Sequence, residues 1–219
     1  MKTLFKNTAS ISLLFLLVAT SYAQQDPKAK SILDKLSQKT RGYSSIKAEF
    51  NYTMLNESEG IDETQPGTVA IKGDKFYLKM AGQEMFCNGT TIWTHLVDAE
   101  EVKISEYEED DEDAINPKSI FTMYESGFNY KFIKTFSEGG KSLHQIDLYP
   151  TNVDDVSYHT AKLFIDEVKM EIVKMTIYSK DGANYTYKIK SFTGNSTIPD
   201  SKFEFNQSQY PDIEVIDLR

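Results

Sequence analysis

Apolar and polar residues alternate along most of the chain from residue 46 onward. In the first run the apolar side chains occupy every second position, namely Ile46, Ala48, Phe50, Tyr52 and Met54. This period of two is expected of a strand with one buried face. Short pairs such as Gly73-Asp74 and Asn88-Gly89 separate neighbouring runs, and such pairs favour tight turns between antiparallel strands.

The pattern predicts a mainly β protein of about eleven strands. The further runs cover residues 68–72, 75–80, 84–87, 91–96, 101–107, 128–136, 143–149, 162–166, 172–179 and 185–192. A flat open sheet rarely keeps so many strands without curling. We therefore expect a strongly curved, unclosed antiparallel barrel, whose concave face has to be filled or covered.

Two helices are predicted beside the sheet. The first starts at Asp26 as N-cap and Pro27 at N1, ends before Gly42, and carries apolar residues at helical spacing, namely Ala29, Ile32, Leu33 and Leu36. The second is a short helix over residues 117–125, which follows an acidic loop and is predicted to be a movable lid. These helices either plug the concave face or cover a cavity in it.

The N-terminus has the pattern of a signal peptide over residues 1–23. Lys2 and Lys6 precede an apolar run at 11–18, and Ser21-Tyr22-Ala23 provides a small-x-Ala cleavage site. A membrane-spanning helix would need about 20 apolar residues. The sequence therefore predicts export to the periplasm and one soluble domain over residues 24–219.

Charge and cysteine content narrow the function further. The formal net charge is −9, and the predicted signal peptide contains two lysines and no acidic residue. This excess of acid disfavours nucleic acid and anionic membrane surfaces as partners. Cys87 is the only cysteine, so an internal disulfide is excluded and Cys87 is interpreted as a small buried apolar residue. We expect a monomer.

The sequence offers little support for catalysis. His95, His144 and His159 lie in separate segments with no metal-ligand spacing, and no nucleophile or phosphate-loop motif accompanies them. The acidic run 108–113 lacks the ordered spacing of a calcium loop and is interpreted as solvated. The sequence therefore predicts a protein that is not an enzyme and uses no cofactor or metal.

Large aromatic and methionine side chains form the most informative group. They are expected to share one face and line an apolar cavity, and comprise Phe50, Tyr52, Met54, Phe76, Leu78, Met80, Met85, Trp93, Ile120, Phe121, Met123 and Tyr124. Methionine and aromatic side chains together give a deformable lining that accepts acyl chains of varied shape. On periodicity alone, an ordinary packed core is the simpler explanation of the same pattern.

These residues belong to stretches that resemble the outer-membrane lipoprotein carrier protein family (LolA-like). The similar stretches are 32–36 leading into 45–50, 67–72, 75–80, the Asn88-Gly89 hairpin ending at Trp93, 116–121 and 199–205. The resemblance implies an unclosed β-barrel with a helical lid, whose interior receives the acyl chains of lipoproteins. It also implies transfer from an inner-membrane exporter towards the outer membrane, and a closing strand at 199–205.

The sequence departs from the family at one position. Family members often have an Arg-Pro pair before the third strand, and that Arg holds the lid, whereas this chain has Gly73-Asp74 there and its only arginines are Arg41 and Arg219. The usual latch is therefore missing at its matching position. The alternative to a carrier is a periplasmic sensor or signalling module that binds lipid or lipoprotein on the same fold.

Overall fold

The computed structural model describes residues 25–107 and 122–219. The predicted signal peptide, the acidic run 108–113 and positions 117–121 of the predicted lid lie outside this part of the chain. The described part is mainly β, with one α-helix near its start and a single curled sheet.

The helix α1 spans Pro27–Arg41 and has the predicted caps. One carboxylate oxygen of Asp26, Oδ1, accepts hydrogen bonds from the backbone N–H groups of Lys28 and Ala29 at 2.9 and 3.1 Å, which satisfies donors that have no partner inside the helix. Gly42 follows the last turn. The buried stripe consists of the four predicted residues, Ala29, Ile32, Leu33 and Leu36.

Twelve strands form one sheet in the described part of the chain. They are β1 (Ile46–Asn56), β2 (Ile61–Lys72), β3 (Lys75–Met80), β4 (Gln83–Cys87), β5 (Thr91–Leu96), β6 (Glu101–Glu106), β7 (Phe128–Glu138), β8 (Lys141–Pro150), β9 (Tyr158–Asp166), β10 (Glu171–Ser179), β11 (Asn184–Gly194) and β12 (Glu214–Asp217). Their spatial order is β12-β6-β5-β4-β3-β2-β1-β11-β10-β9-β8-β7.

The order of the strands confirms the predicted curled, unclosed sheet. All neighbours are antiparallel except β12, which pairs in parallel with β6, and the two edges, β7 and β12, do not pair with each other. The structure has one strand more than predicted, namely β12. The sequence pattern does not indicate this strand because it is short and mostly polar at its exposed positions. β2 begins at Ile61 rather than at residue 68, since its mostly polar first half, 61–67, pairs with residues 50–56 of β1.

The core lies on the face of the sheet that α1 covers, called the inner face. The apolar stripe of α1 packs there against side chains from strands in both halves of the chain. Phe76, Ile146 and Leu163 are fully buried in this layer. Burying apolar side chains from helix and sheet in one layer provides most of the stability of such a fold.

The opposite, outer face is partly covered by residues 195–213, called the C-terminal strap, before the chain joins the sheet edge as β12. Ile198 and Phe203 of the strap pack against Ala70 and Tyr77. The carboxylate of Asp200 binds the ammonium groups of Lys72 and Lys75, each at 2.9 Å. The strap forms a 3-10 turn at Asp200–Phe203. The family resemblance implied a closing strand at 199–205, and this prediction is wrong.

Two side-chain hydrogen bonds join the start of α1 to the sheet edge at β7. The second carboxylate oxygen of Asp26, Oδ2, accepts a hydrogen bond from the backbone N–H of Phe132 at 3.0 Å. The side-chain amide of Gln25 donates to the carbonyl of Phe128 at 3.3 Å. Hydrogen bonds from backbone N–H groups lower the pKa of Asp26, and the one from Ala29 has the largest effect. The same carboxylate thus caps the helix and pairs part of an otherwise open strand edge.

Candidate functional site

The strand register brings most of the predicted cavity residues to one face. Seven of them lie on the inner face, namely Phe50, Tyr52, Met54, Phe76, Leu78, Met80 and Met85. Most of their cross-strand partners are apolar or small, whereas Tyr52 and Met54 face Gln65 and Glu63 on β2, and Met80 faces Gln83 on β4. Tyr124 is buried against the same core. Ile120 and Phe121 lie outside the described residues, as does the side chain of Met123.

Trp93 lies on the outer face, and grouping it with the others was wrong. It is directly opposite Phe86 on β4, which is in turn opposite Tyr77 on β3, and Tyr77 packs against the strap. The inner-face residue of β5 is its neighbour Ile92, which is buried opposite Cys87. Because successive side chains of a strand alternate between faces, an assignment that is off by one residue reverses the face.

The inner-face residues fall into two groups by burial. Phe50, Phe76 and Leu78 are at most 5 % exposed and are packed with α1 in the core. Tyr52, Met54 and Met80 are only half-buried. Part of the inner face therefore remains accessible beyond the area that α1 covers.

Two tyrosines that the sequence analysis missed complete the accessible part. Tyr185 and Tyr187 of β11 lie opposite Met54 and Tyr52 of β1. The ring of Tyr52 lies 6.3 Å from that of Tyr185 and 5.4 Å from that of Tyr187, between centroids. Burial raises the pKa of Tyr187 to about 12. The alternation of Tyr185, Tyr187 and Ile189 along β11 is the signal that could have identified them.

We call Tyr52, Tyr185 and Tyr187 the tyrosine cluster. It stands at one end of a continuous apolar row on the inner face, which crosses six neighbouring strands through Phe132, Ile146, Leu163, Met175, Tyr187 and Tyr52. At about 4.8 Å between strands, the five steps of this row cover about 24 Å. Its middle is sealed under α1, and its β11–β1 end is half-buried.

A glycine sets the position of Phe50 beside this end. The ring of Phe50 lies so close to Gly67 on β2 that an added Cβ would be 2.3 Å from it. Only glycine permits the ring to lie flat against the neighbouring strand here. This close approach keeps Phe50 buried in the core, next to the half-buried Tyr52 and Tyr187. The ring centroids of Phe50 and Tyr187 are 6.1 Å apart.

A cavity of about 510 Å³ opens between α1 and the start of β7. Its apolar wall includes Leu33, Tyr124 and Tyr130, which also belong to the inner-face core. Charged side chains of α1 stand at its rim, where Arg41 forms an ion pair with Glu125. The hydrogen bond from Arg41 lowers the pKa of Glu125.

The Arg41–Glu125 pair offers a different attachment from the missing latch. Glu125 ends the 3-10 turn Met123–Glu125, at the C-terminal end of the segment predicted as a lid. Nε of Arg41 donates to its carboxylate at 3.1 Å, and the hydroxyl of Ser37 also donates to it. A directed, charge-assisted contact thus fixes this end of the segment to α1, although position 73 is glycine.

The histidines remain separate in the structure. His95 lies on the outer face against the rings of Phe205 and Tyr210 of the strap, which stack on each other. His144 lies on the inner face, and burial lowers its pKa. In residues 25–107 and 122–219, no group of three or more His, Cys, Asp or Glu side chains could hold a metal ion. Over the same residues, no helix is long and apolar enough to cross a membrane.

Comparison with solved structures shows similarity of fold. An uncharacterized conserved protein from Thermus thermophilus matches with a TM-score of 0.55 at 12% identity, over 87% of this chain and 99% of that chain. LprF from Mycobacterium bovis matches with a TM-score of 0.47 at 15% identity, over 80% and 98%. The LolA superfamily protein NE2245 from Nitrosomonas europaea matches with a TM-score of 0.41 at 12% identity, over 81% and 97%.

Sequence comparison identifies the family. No curated protein matches the sequence significantly. The family model described as outer membrane lipoprotein carrier protein LolA matches residues 19–146, which is more than half of the 219 residues. The match includes α1 and the strands β1 to β7, together with the start of β8. The chain therefore belongs to the outer membrane lipoprotein carrier protein LolA family.

Proposed function

We propose that this protein is a periplasmic carrier that binds the acyl chains of lipoproteins on its inner face and moves them towards the outer membrane. Binding uses apolar burial and no covalent chemistry. The observation that carries the proposal is the half-buried end of the apolar row, formed by the tyrosine cluster with Met54. An acyl chain placed there would gain about 0.8 kcal/mol for each methylene removed from water.

The arrangement of polar and apolar groups supports an amphiphilic ligand. The inner face carries aromatic and methionine side chains, whereas the rim of the cavity beside α1 carries ion pairs such as Arg41–Glu125. In the cavity beside α1, the apolar wall of Leu33, Tyr124 and Tyr130 suits part of an acyl chain and the charged rim suits a polar lipid or peptide headgroup. Flexible methionines and amphipathic tyrosines suit ligands whose chains differ in length and branching.

Two neighbouring residues of β1 provide the test. Met54 points to the inner face and Leu55 to the outer face, and both are half-buried. Met54→Lys would place a charge against the bound chain, so we expect it to weaken binding of a fluorescent fatty acid by about tenfold or more. Leu55→Lys makes the same chemical change on the other face and is expected to leave the affinity within about twofold of the parent.

Circular dichroism of both variants provides the folding control. Equal affinity of Met54→Lys and the parent would contradict a site on the inner face. Equal losses in both variants would show that the effect arises from destabilisation. Trp93 emission is unsuitable as the readout, since this residue lies on the outer face.

Export and cargo are tested on the protein from its own cell envelope. We expect an intact mass that corresponds to cleavage after Ala23, and native mass spectrometry that shows bound acylated lipoprotein or lipid. Recovery of several different lipoproteins supports a carrier with an inner-membrane exporter as donor. Recovery of one membrane regulator and no lipoprotein supports the alternative, a sensor on the same fold.

A further inference from the structure

The outer face of β7–β11 carries a set of lysines that the strap does not cover. Five lysines point outward according to the register of these strands, namely Lys131, Lys134, Lys162, Lys174 and Lys188. We call this set the lysine face. Lys131 and Lys162 share one row across the sheet with Asp147 between them, and Lys134, Lys174 and Lys188 share the neighbouring row.

The lysine face differs from the strap-covered half of the same sheet in its ion pairs. Every lysine of β2–β6 is paired with a carboxylate, in the pairs Lys72–Asp200, Lys75–Asp200, Lys79–Glu84 and Lys103–Glu101. On the lysine face only Lys174 is paired within the described part of the chain, with Glu138 at 3.9 Å. Asp147 is buried and accepts a hydrogen bond from Gln145.

Aromatic rings lie between these lysines. The ammonium of Lys174 is 4.0 Å from the ring centroid of Phe164, that of Lys162 is 4.4 Å from Tyr178, and that of Lys134 is 5.0 Å from Phe136. At the edge of the same half, Ile133 is 39 % exposed. Ammonium groups above partly exposed aromatic rings are suited to the boundary between water and lipid headgroups.

We propose that the lysine face docks the protein on the anionic phosphate headgroups of a membrane surface. The acidic net charge of the whole chain disfavours such contact, but the sheet separates the charges and leaves one face basic. The lysines extend over five strands in two rows, which matches a planar array of phosphates better than a linear acidic peptide. This docking goes beyond acyl-chain binding and uses the opposite face of the sheet.

The test uses vesicles of phosphatidylcholine with and without phosphatidylglycerol. The face variant is Lys134→Gln, Lys174→Gln and Lys188→Gln. The matched control is Lys35→Gln, Lys47→Gln and Lys103→Gln, which changes the net charge equally at sites outside the lysine face. We expect the parent to bind vesicles with phosphatidylglycerol about tenfold more tightly than neutral vesicles at low salt, and to lose most of this difference at high salt.

The variants separate docking from a general effect of charge. We expect the face variant to lose about tenfold in affinity for the anionic vesicles and the control to stay within about twofold of the parent. Equal binding by the face variant and the parent would overturn the proposal, as would absence of binding to anionic vesicles. Binding of soluble polyglutamate, but not of vesicles, would assign the face to an acidic protein partner and also overturn it. Unchanged docking of Met54→Lys is expected, which keeps this result independent of acyl-chain binding.

Discussion

The core on the inner face and the smaller core under the C-terminal strap differ in the number of elements that form them. The inner core receives side chains from α1 and from strands across the sheet, including β1, β3, β8 and β9. The strap core contains Ala70 and Tyr77 from two neighbouring strands and Ile198 and Phe203 from the strap. Loss of one contact in the inner core therefore affects the whole sheet, whereas the strap core can open while the sheet stays folded.

The largest loss of stability is expected from a substitution in the inner core. Phe76 is fully buried there, so Phe76→Ala removes many contacts and leaves a cavity between layers that cannot close around it. We expect a loss of about 3–5 kcal/mol in the free energy of unfolding. Urea unfolding followed by circular dichroism measures it. A loss confined to one part of the sheet, with two separate transitions, would contradict a single cooperative inner core.

Phe203 provides the matched change in the strap core. It is equally buried, but on the outer face. We expect Phe203→Ala to lower the global free energy of unfolding by at most about 3 kcal/mol, because the strap can detach first. Faster hydrogen exchange and proteolysis over 198–213, with the exchange of β8 and β9 unchanged, is the expected result. Uniform acceleration across the sheet would show that the two cores form one unit.

The smallest change in stability is expected when low pH protonates Asp200 in the strap. Hydrogen bonds from Lys72 and then Lys75 lower the pKa of Asp200 from 3.8 to about 2. Because the folded state has the lower pKa, the ionised carboxylate stabilises the docked strap above about pH 3.8, and this contribution disappears as the pH falls towards 2. Asp200 is exposed, so the change is small.

Trp93 provides the readout for this prediction. It lies opposite Phe86, whose ring is 5.7 Å from that of Phe205 in the strap. We expect a change in Trp93 emission between about pH 4 and pH 2 in the parent. The change should be weaker in Asp200→Asn, because the titrating group is missing, and should persist in Asp62→Asn. An identical change in Asp200→Asn would remove Asp200 as its cause.

Local chemistry predicts some parts of this molecule and not others. α1 was predictable because its caps and apolar spacing all lie between Asp26 and Gly42, and the strands were predictable from alternation. The face of Trp93 was not, since it depends on the register between β4 and β5. The 3-10 turn at Asp200–Phe203 also depends on distant partners, namely Lys72, Lys75 and the buried surface that receives Phe203.

The accessible end of the inner face was only half predictable for a related reason. Tyr52 and Met54 stand out in the sequence because β1 alternates clearly. Tyr185 and Tyr187 alternate equally well, but they lie far away along the chain, and only the pairing of β1 with β11 places them beside Tyr52. A sequence pattern indicates which side of a strand is buried, whereas the neighbours of that strand are set by topology.

The carboxylate of Asp26 has a consequence for the order in which the chain assembles. One of its oxygens caps α1 by accepting from the N–H of Lys28, two residues later, whereas the other accepts from the N–H of Phe132, 106 residues later in the chain. The partner of Gln25 follows after 103 residues. The helix thus cannot reach its final position until β7 has joined the sheet. Docking of α1 onto β7 therefore depends on contacts between residues far apart in the sequence, and contacts of this kind favour slow folding.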